Sequence, residues 1–343
     1  MTINLGGHTL SSANIVCINV DSGNLTVDGR LPGSGILARH GATAARCIQI
    51  YGSGLTTVKG GLYVCETNGS GSSGCVPISV QSTTASLDIS DSIISATDNT
   101  EGAKVNGLML YGAATISNCK VTATAKHGKV VGVYGKSRTN IVNCDISGYS
   151  NYTHDGSTYT ERAIGIENAG GILKISNSYV LGNYSGLSNH GTLYVNGGTF
   201  EGYGHGGIYF SEAETTAYVR NANLKDMPIM PDGYEENAGH NGAAFYIGGS
   251  TGADNISIYM DNCDCYSPER QIVLRGSSGE QYNSLYISNS RCHDTSGKGI
   301  IRIRIDNDTH KLYLGRGNNF TSKNTTLPEA VIVTDEVYAQ EVA

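Results

Sequence analysis

Apolar and polar residues alternate along this chain in short runs, without the spacing of an amphipathic helix. Two runs recur. The first is an aliphatic residue, any residue, Asn, a small residue, any residue and a second aliphatic, as in Ile116-Ser117-Asn118-Cys119-Lys120-Val121 and Ile141-Val142-Asn143-Cys144-Asp145-Ile146. It returns around Asn177, Asn221, Asn262 and Asn289, and in degenerate form around Gly7, Gly29, Gly60, Asp91 and Gly197. The second is a Gly-led apolar run, as in Gly107-Leu108-Met109-Leu110-Tyr111 and Gly207-Ile208-Tyr209-Phe210. Alternation within each run predicts a strand with one side on a core and the other in water. Asn and Gly share the marker position because both tolerate positive φ, which predicts a tight corner there. Successive markers are 20 to 41 residues apart, from Asn177 to Gly197 and from Asn221 to Asn262 at the extremes. That spacing fits one coil of three short strands, repeated as a solenoid.

On these markers the chain resembles the right-handed parallel β-helix family, the pectate-lyase-like superfold, over roughly residues 3 to 335. The resemblance implies an all-β, single-stranded right-handed parallel β-helix solenoid of about 11–12 coils, in one domain over residues 1–343. It also implies an asparagine ladder between the second and third strands of each coil, counting the Gly-led strand as the first. The family hosts lyases, hydrolases, phage tailspikes, adhesins and inert scaffolds, so the resemblance names no single activity.

Composition narrows the partners. Gly is 46 of 343, Trp 0, Phe 4 and Tyr 21, which predicts an aliphatic interior with most tyrosines at the surface. A net charge of −7 with scattered basic residues argues against nucleic acid. No run is long and apolar enough to span a bilayer. The first strand begins at residue 2, with no secretory leader and no cap. The first coil is therefore expected to dock on a neighbouring subunit, or the chain to be part of a longer protein or a homotrimer. Cys119, Cys144 and Cys263 share one small-residue column, and Cys265 and Cys292 the next, so buried thiols are expected. Cys65 and Cys75 bracket a Gly/Ser loop that a disulfide would close. The thiol pattern suits a reducing compartment, including a virion protein assembled before lysis. No paired Cys-x-x-Cys spacing points to zinc.

Insertions are expected at one corner of the coil: Arg30 to Arg46, Tyr63 to Val76, Thr97 to Asn106, Tyr149 to Arg162 and Lys225 to Asn241. Stacked insertions flank a binding face. With Ile50, Leu110, Val133, Ile166, Phe210, Ile247, Leu274 and Ile303 inward, the outward column reads Tyr51, Gln81, Tyr111, Tyr134, Glu167, His190, Ser211, Gly248, Arg275 and Arg304. Tyr209, Tyr246 and Arg302 lie in the column beside it. Aromatic faces stack on sugars and charged groups bind their hydroxyls and carboxylates. Glu167 and His190 are the expected catalytic acid–base residues, Tyr111, Tyr134, Tyr209 and Tyr246 the stacking residues, and Arg275 the charge. A solvated polar face with Glu167 and His190 merely paired is the plainer alternative.

A polygalacturonase-like site would need paired Asp, Gly-His-Gly and Arg-x-Lys; only Gly204-His205-Gly206 is present. A pectate-lyase-like Ca²⁺ site would need acids on neighbouring coils, whereas Asp155, Glu161, Asp232, Glu235 and Glu236 fall on loops. No metal or cofactor is expected. The resulting expectation is polysaccharide or cell-surface glycan recognition, with or without depolymerase activity, by a tailspike-like virion protein or a cell-surface protein. A non-catalytic structural β-helix is the alternative.

Overall fold

The structure is a computed structural model. It describes residues 1–40, 44–67, 74–100, 102–126, 128–150, 162–203, 205–210, 215–226, 243–247, 255–268, 270–275, 283–294, 301–304, 311–322, 332–334 and 339–341. Among these the chain is all-β and its strands pair in parallel, coil against coil. Three rows of strands run through it. The third row, from Val16–Val20 to Ile332–Thr334, is a twelve-stranded sheet. The first and second rows begin at Thr2–Asn4 and Thr9–Ser12 and belong to a 22-stranded sheet. Three 11-residue strands, Ile172–Gly182, Thr192–Gly202 and Thr216–Asp226, serve both rows and fuse them. The chain visits the rows in the order first, second, third and then repeats, an arrangement consistent with a β-helix-like solenoid.

Stacked aliphatic columns hold the coils together. Val121, Ile146, Val180, Phe200, Leu224, Cys265 and Cys292 are paired coil to coil in one register, and all are buried. Each buried Val, Leu, Ile or Phe contributes about 1.5–3 kcal/mol. That exceeds the ~1 kcal/mol net of a hydrogen bond, so the core dominates stability and the corner ladder sets geometry.

The corners form as the markers predict. Asp91, Asn118, Asn143, Asn177, Asn221, Asn262 and Asn289 all have φ between 47° and 54°. Their amides link coil to coil: Asn118 Nδ2 donates to Asp91 Oδ1 at 3.1 Å and Asn262 Nδ2 to Asn221 Oδ1 at 2.8 Å. Gly7, Gly60 and Gly197 also have positive φ. Gly29 differs. It lies outside the left-handed region, and its need for glycine is space, since a Cβ there would meet the Gly60 carbonyl oxygen at 2.9 Å.

Three of the expected insertions are shorter than the sequence implies. Arg30 to Arg46 contains the second-row strand Gly35–His40, and Tyr63 to Val76 begins inside Leu62–Thr67. Likewise Thr97 to Asn106 runs across the ends of Ile93–Asp98 and Ala103–Leu110. These strands carry Gly or polar residues that weaken the alternation. Residues 151–161 and 227–242, the bulk of the two longest expected insertions, lie outside the described residues.

Cys65 and Cys75 form a disulfide, with Cα atoms 5.9 Å apart, while Cys47, Cys119, Cys144, Cys263, Cys265 and Cys292 are buried thiols. Burial pushes the Cys263 thiol up to about 12. Not all tyrosines are at the surface. Tyr63 is fully buried and donates its hydroxyl to the Gly60 carbonyl at 3.1 Å. At the first coil the core is open: Leu10 is 41% exposed, although its register partner Ile36 is buried.

Candidate functional site

The outward face of the third row carries the residues singled out in the sequence, in a different register. Gln49, Ser79, Met109, Tyr134, Glu167, Ser188, Tyr209, Tyr246 and Val273 are Cα partners in one column. Tyr51, Gln81, Tyr111, Lys136, Ala169 and His190 form the next outward column, fixed by amide-to-carbonyl bonds of 2.7–2.9 Å to the preceding coil. Tyr134 and Glu167 therefore stand two residues away from the column that holds Tyr111 and His190. The inward residues shift with them: Val133 pairs with Leu108, and Leu110 pairs with Gly135. A two-residue slip keeps every side chain on its face, so alternation alone cannot detect it.

Glu167 faces Ser188 on the next coil, and His190 lies two residues farther on. At ~3.3 Å per residue and ~4.8 Å per coil, the Glu167 and His190 backbones are roughly 8 Å apart. The Glu167 carboxylate is held by Lys129, with Nζ 3.0 Å from Oε1 and 2.7 Å from Oε2. His190 Nε2 is 3.1 Å from Ser188 Oγ. The expected acid and base are thus engaged with separate partners, Lys129 and Ser188, rather than with each other.

Tyr111 and Tyr134 are half-buried, their ring centroids 6.0 Å apart, with the Lys136 ammonium 5.8 Å over the Tyr111 ring. Desolvation, and then the neighbouring Tyr111 and Glu167, raises the Tyr134 phenol pKa, which keeps it a neutral hydroxyl donor at ordinary pH. Tyr209 and Tyr246 are buried at 6% and 3% exposure. They close around His205, whose ring lies 4.6 and 4.8 Å from theirs and 4.4 Å from that of Tyr184. Arg162 covers Tyr184 at 4.7 Å. Gly204-His205-Gly206 thus contributes a histidine to an aromatic cluster. Arg275 ends the strand Arg270–Arg275 in register with Arg304, and its side chain lies outside the described residues, as do Ser211, Gly248, Asp155, Glu161, Asp232, Glu235 and Glu236.

A second face went unnoticed in the sequence. On the first row, Tyr194, Tyr218, Tyr259, Tyr286 and Tyr313 occupy one outward column on consecutive coils. Their rings stack at 5.3, 5.0, 4.6 and 4.3 Å, within 10° of parallel. Lys174, one coil earlier, places its ammonium 5.6 Å over the Tyr194 ring. A signal for it existed: each of the first four tyrosines stands three residues before its Asn or Gly marker. Where the ladder begins, a depression of about 520 Å³ opens between Asn140, Lys174, Tyr194, Tyr218 and Arg220. Beside it, Asp261 accepts from Asn289 Nδ2 and Ser288 Oγ, both at 2.8 Å. These bonds, Asn289 first, and the charge of Arg220 hold its carboxyl below the usual range.

Among the described residues no group of three or more His, Cys, Asp or Glu is placed to hold a metal ion, and no helix is long and apolar enough to cross a membrane. Compared with protein-family models, curated proteins and solved structures, the chain matches none.

Proposed function

We propose that the chain is a right-handed parallel β-helix of the pectate-lyase-like kind and that it recognises polysaccharide or cell-surface glycan, as a tailspike-like virion protein or a cell-surface protein. The observation that carries this reading is the third-row patch on three neighbouring coils, with Tyr111 and Tyr134 side by side, Lys136 over one ring and the Lys129–Glu167 pair next to them. Half-buried tyrosines offer ring face and hydroxyl to a sugar, and fixed charges bind its polar groups. The same reading has the chain dock on a neighbouring subunit or a homotrimeric partner, which light scattering at several concentrations tests.

The test is a glycan array of bacterial capsular and cell-wall polysaccharides, with reducing-end and ultraviolet unsaturation assays on each hit. Tyr111→Ala and Tyr134→Ala are expected to weaken binding at least about tenfold, given aromatic contacts of this kind. Unchanged binding in both would remove the patch. Glu167→Gln and His190→Ala decide the catalytic question: any cleavage is expected to vanish with either, and a retained rate discards them as catalysts.

A second reading, a non-catalytic structural β-helix, is favoured by the tyrosine ladder. Its ring faces are occupied by one another, as in a device that ties coils together. An array without hits would support it.

A further inference from the structure

We infer that the first-row depression at the head of the tyrosine ladder is a second binding site, selective for acidic polysaccharide. This rests on the glycan-recognition reading and adds a separate face and a charge class to it. The depression spans four consecutive coils: Asn140, Lys174, Tyr194 and Tyr218 succeed one another in one column, and Ser176, Asn196 and Arg220 in the adjacent one. That is about 14 Å along the axis at the usual coil spacing, room for a short run of extended sugar rings.

Its charge is one-sided. Lys174 and Arg220 line it, and no carboxylate does, in a chain whose net charge is −7. The Arg220 guanidinium lies in the field of Asp261, its register partner in the next coil, while Asp261 directs its Oδ1 to Ser288 and Asn289. A guanidinium is suited to two parallel hydrogen bonds to a carboxylate or sulfate. Lys174 and Arg220 are two coils apart, about 10 Å along the axis, which suits anionic groups on alternate sugars. Asn140, Asn196 and Ser176 supply donors and acceptors for hydroxyls between them.

The ladder excludes the other obvious polyanion. Single-stranded nucleic acid binds by stacking bases on free aromatic faces. Here the faces of Tyr194 and Tyr218 are turned to Lys174, to each other and to Tyr259. Only ring edges and phenol hydroxyls face outward, and both favour negatively charged acceptors.

The experiment is native affinity electrophoresis of the full chain in gels containing hyaluronan, dextran sulfate or neutral dextran. The proteins compared are wild type, the double variant Lys174→Gln/Arg220→Gln and the third-row double variant Tyr111→Ala/Lys136→Gln. All four substituted positions lie outside the core, and circular dichroism checks that both variants remain folded. Retardation of the wild type by an acidic polymer, weakened at least about tenfold in Lys174→Gln/Arg220→Gln and by added salt, is the expected result. Hyaluronan against dextran sulfate separates carboxylate from sulfate. The site is overturned if no acidic polymer retards the protein, if the double variant behaves as wild type, or if oligo-dT competes as well as the glycan. Loss of neutral and acidic binding only in Tyr111→Ala/Lys136→Gln would leave the glycan reading standing and remove this site. Absence of all polysaccharide binding, on the gels and on the array, would remove both.

Discussion

One outward column of the first row carries two chemistries. Through Thr26, Thr57, Asp88, Thr115 and Asn140 it is short and polar, and from Tyr194 to Tyr313 it is tyrosine throughout, with Lys174 at the junction. The backbone pairing is the same on both sides of that junction. The lattice fixes how far apart side chains of neighbouring coils stand, and residue type decides whether they touch. Threonines at this spacing present isolated hydroxyls to water. Tyrosines at the same spacing become a continuous stack and turn their faces away from solvent. The junction is where a ligand finds both an unstacked edge and a positive charge.

The two halves share a core, and truncating it gives the largest expected effect. Phe200→Ala, in the tyrosine half, is expected to cost about 3–5 kcal/mol, and Ile89→Ala, in the polar half, about 2–5 kcal/mol, since both side chains are fully buried. Urea midpoints measure both. A neutral Ile89→Ala would break the comparison by showing that the polar half is not held by the same packing.

The outward column sharpens it. Tyr259→Ala removes two stacking contacts, with Tyr218 and Tyr286, and is expected to cost about 1–3 kcal/mol. Thr57→Ala, at the equivalent position, is expected to change stability by less than about 0.5 kcal/mol. Equal values for the two would mean the ladder is decorative.

Smallest is the pH dependence. Hydrogen bonds from Asn289 and Ser288 lower the Asp261 carboxyl, and the Arg30 side chain lowers Asp28 to about 2 in the polar half. A lowered folded pKa means the contribution is fully present above the unfolded value of ~3.9 and is lost as pH falls through the folded value. Denaturation midpoints are expected to drop below about pH 4 and to drop less in Asp261→Asn. The Arg30 side chain is 65% exposed and Asp28 23%, so the pair is expected to fade with added salt.

Features set by one residue's own backbone were legible in the sequence. Asn118, Asn143, Asn177, Asn221, Asn262 and Asn289 mark corners because the requirement for positive φ is local. The buried columns through Cys119 and Cys265 were legible because parity alone separates inside from outside. Register was not. Tyr134 and Glu167 were aligned two residues out because the offset between coils is set by corner lengths and pairing, which alternation does not record. Burial of Tyr209 and Tyr246 was invisible for a related reason: their position is outward on the strand, and His205 and Tyr184 from another segment cover it. The tyrosine ladder is written as a fixed offset from the markers, a regularity of residue type that apolar–polar alternation does not register.

The uneven coil length has a consequence in polymer terms. The chain takes 20 residues to return from Asn177 to Gly197 and 41 from Asn221 to Asn262, yet it rejoins the same ladder. The entropy lost on closing a flexible loop grows only with the logarithm of its length, so doubling the circuit costs roughly 0.6 kcal/mol. One buried aliphatic side chain outweighs that. A coil of this lattice therefore accepts added length at an energy smaller than that of a single core contact, and circuits of 20 and 41 residues return to the same register.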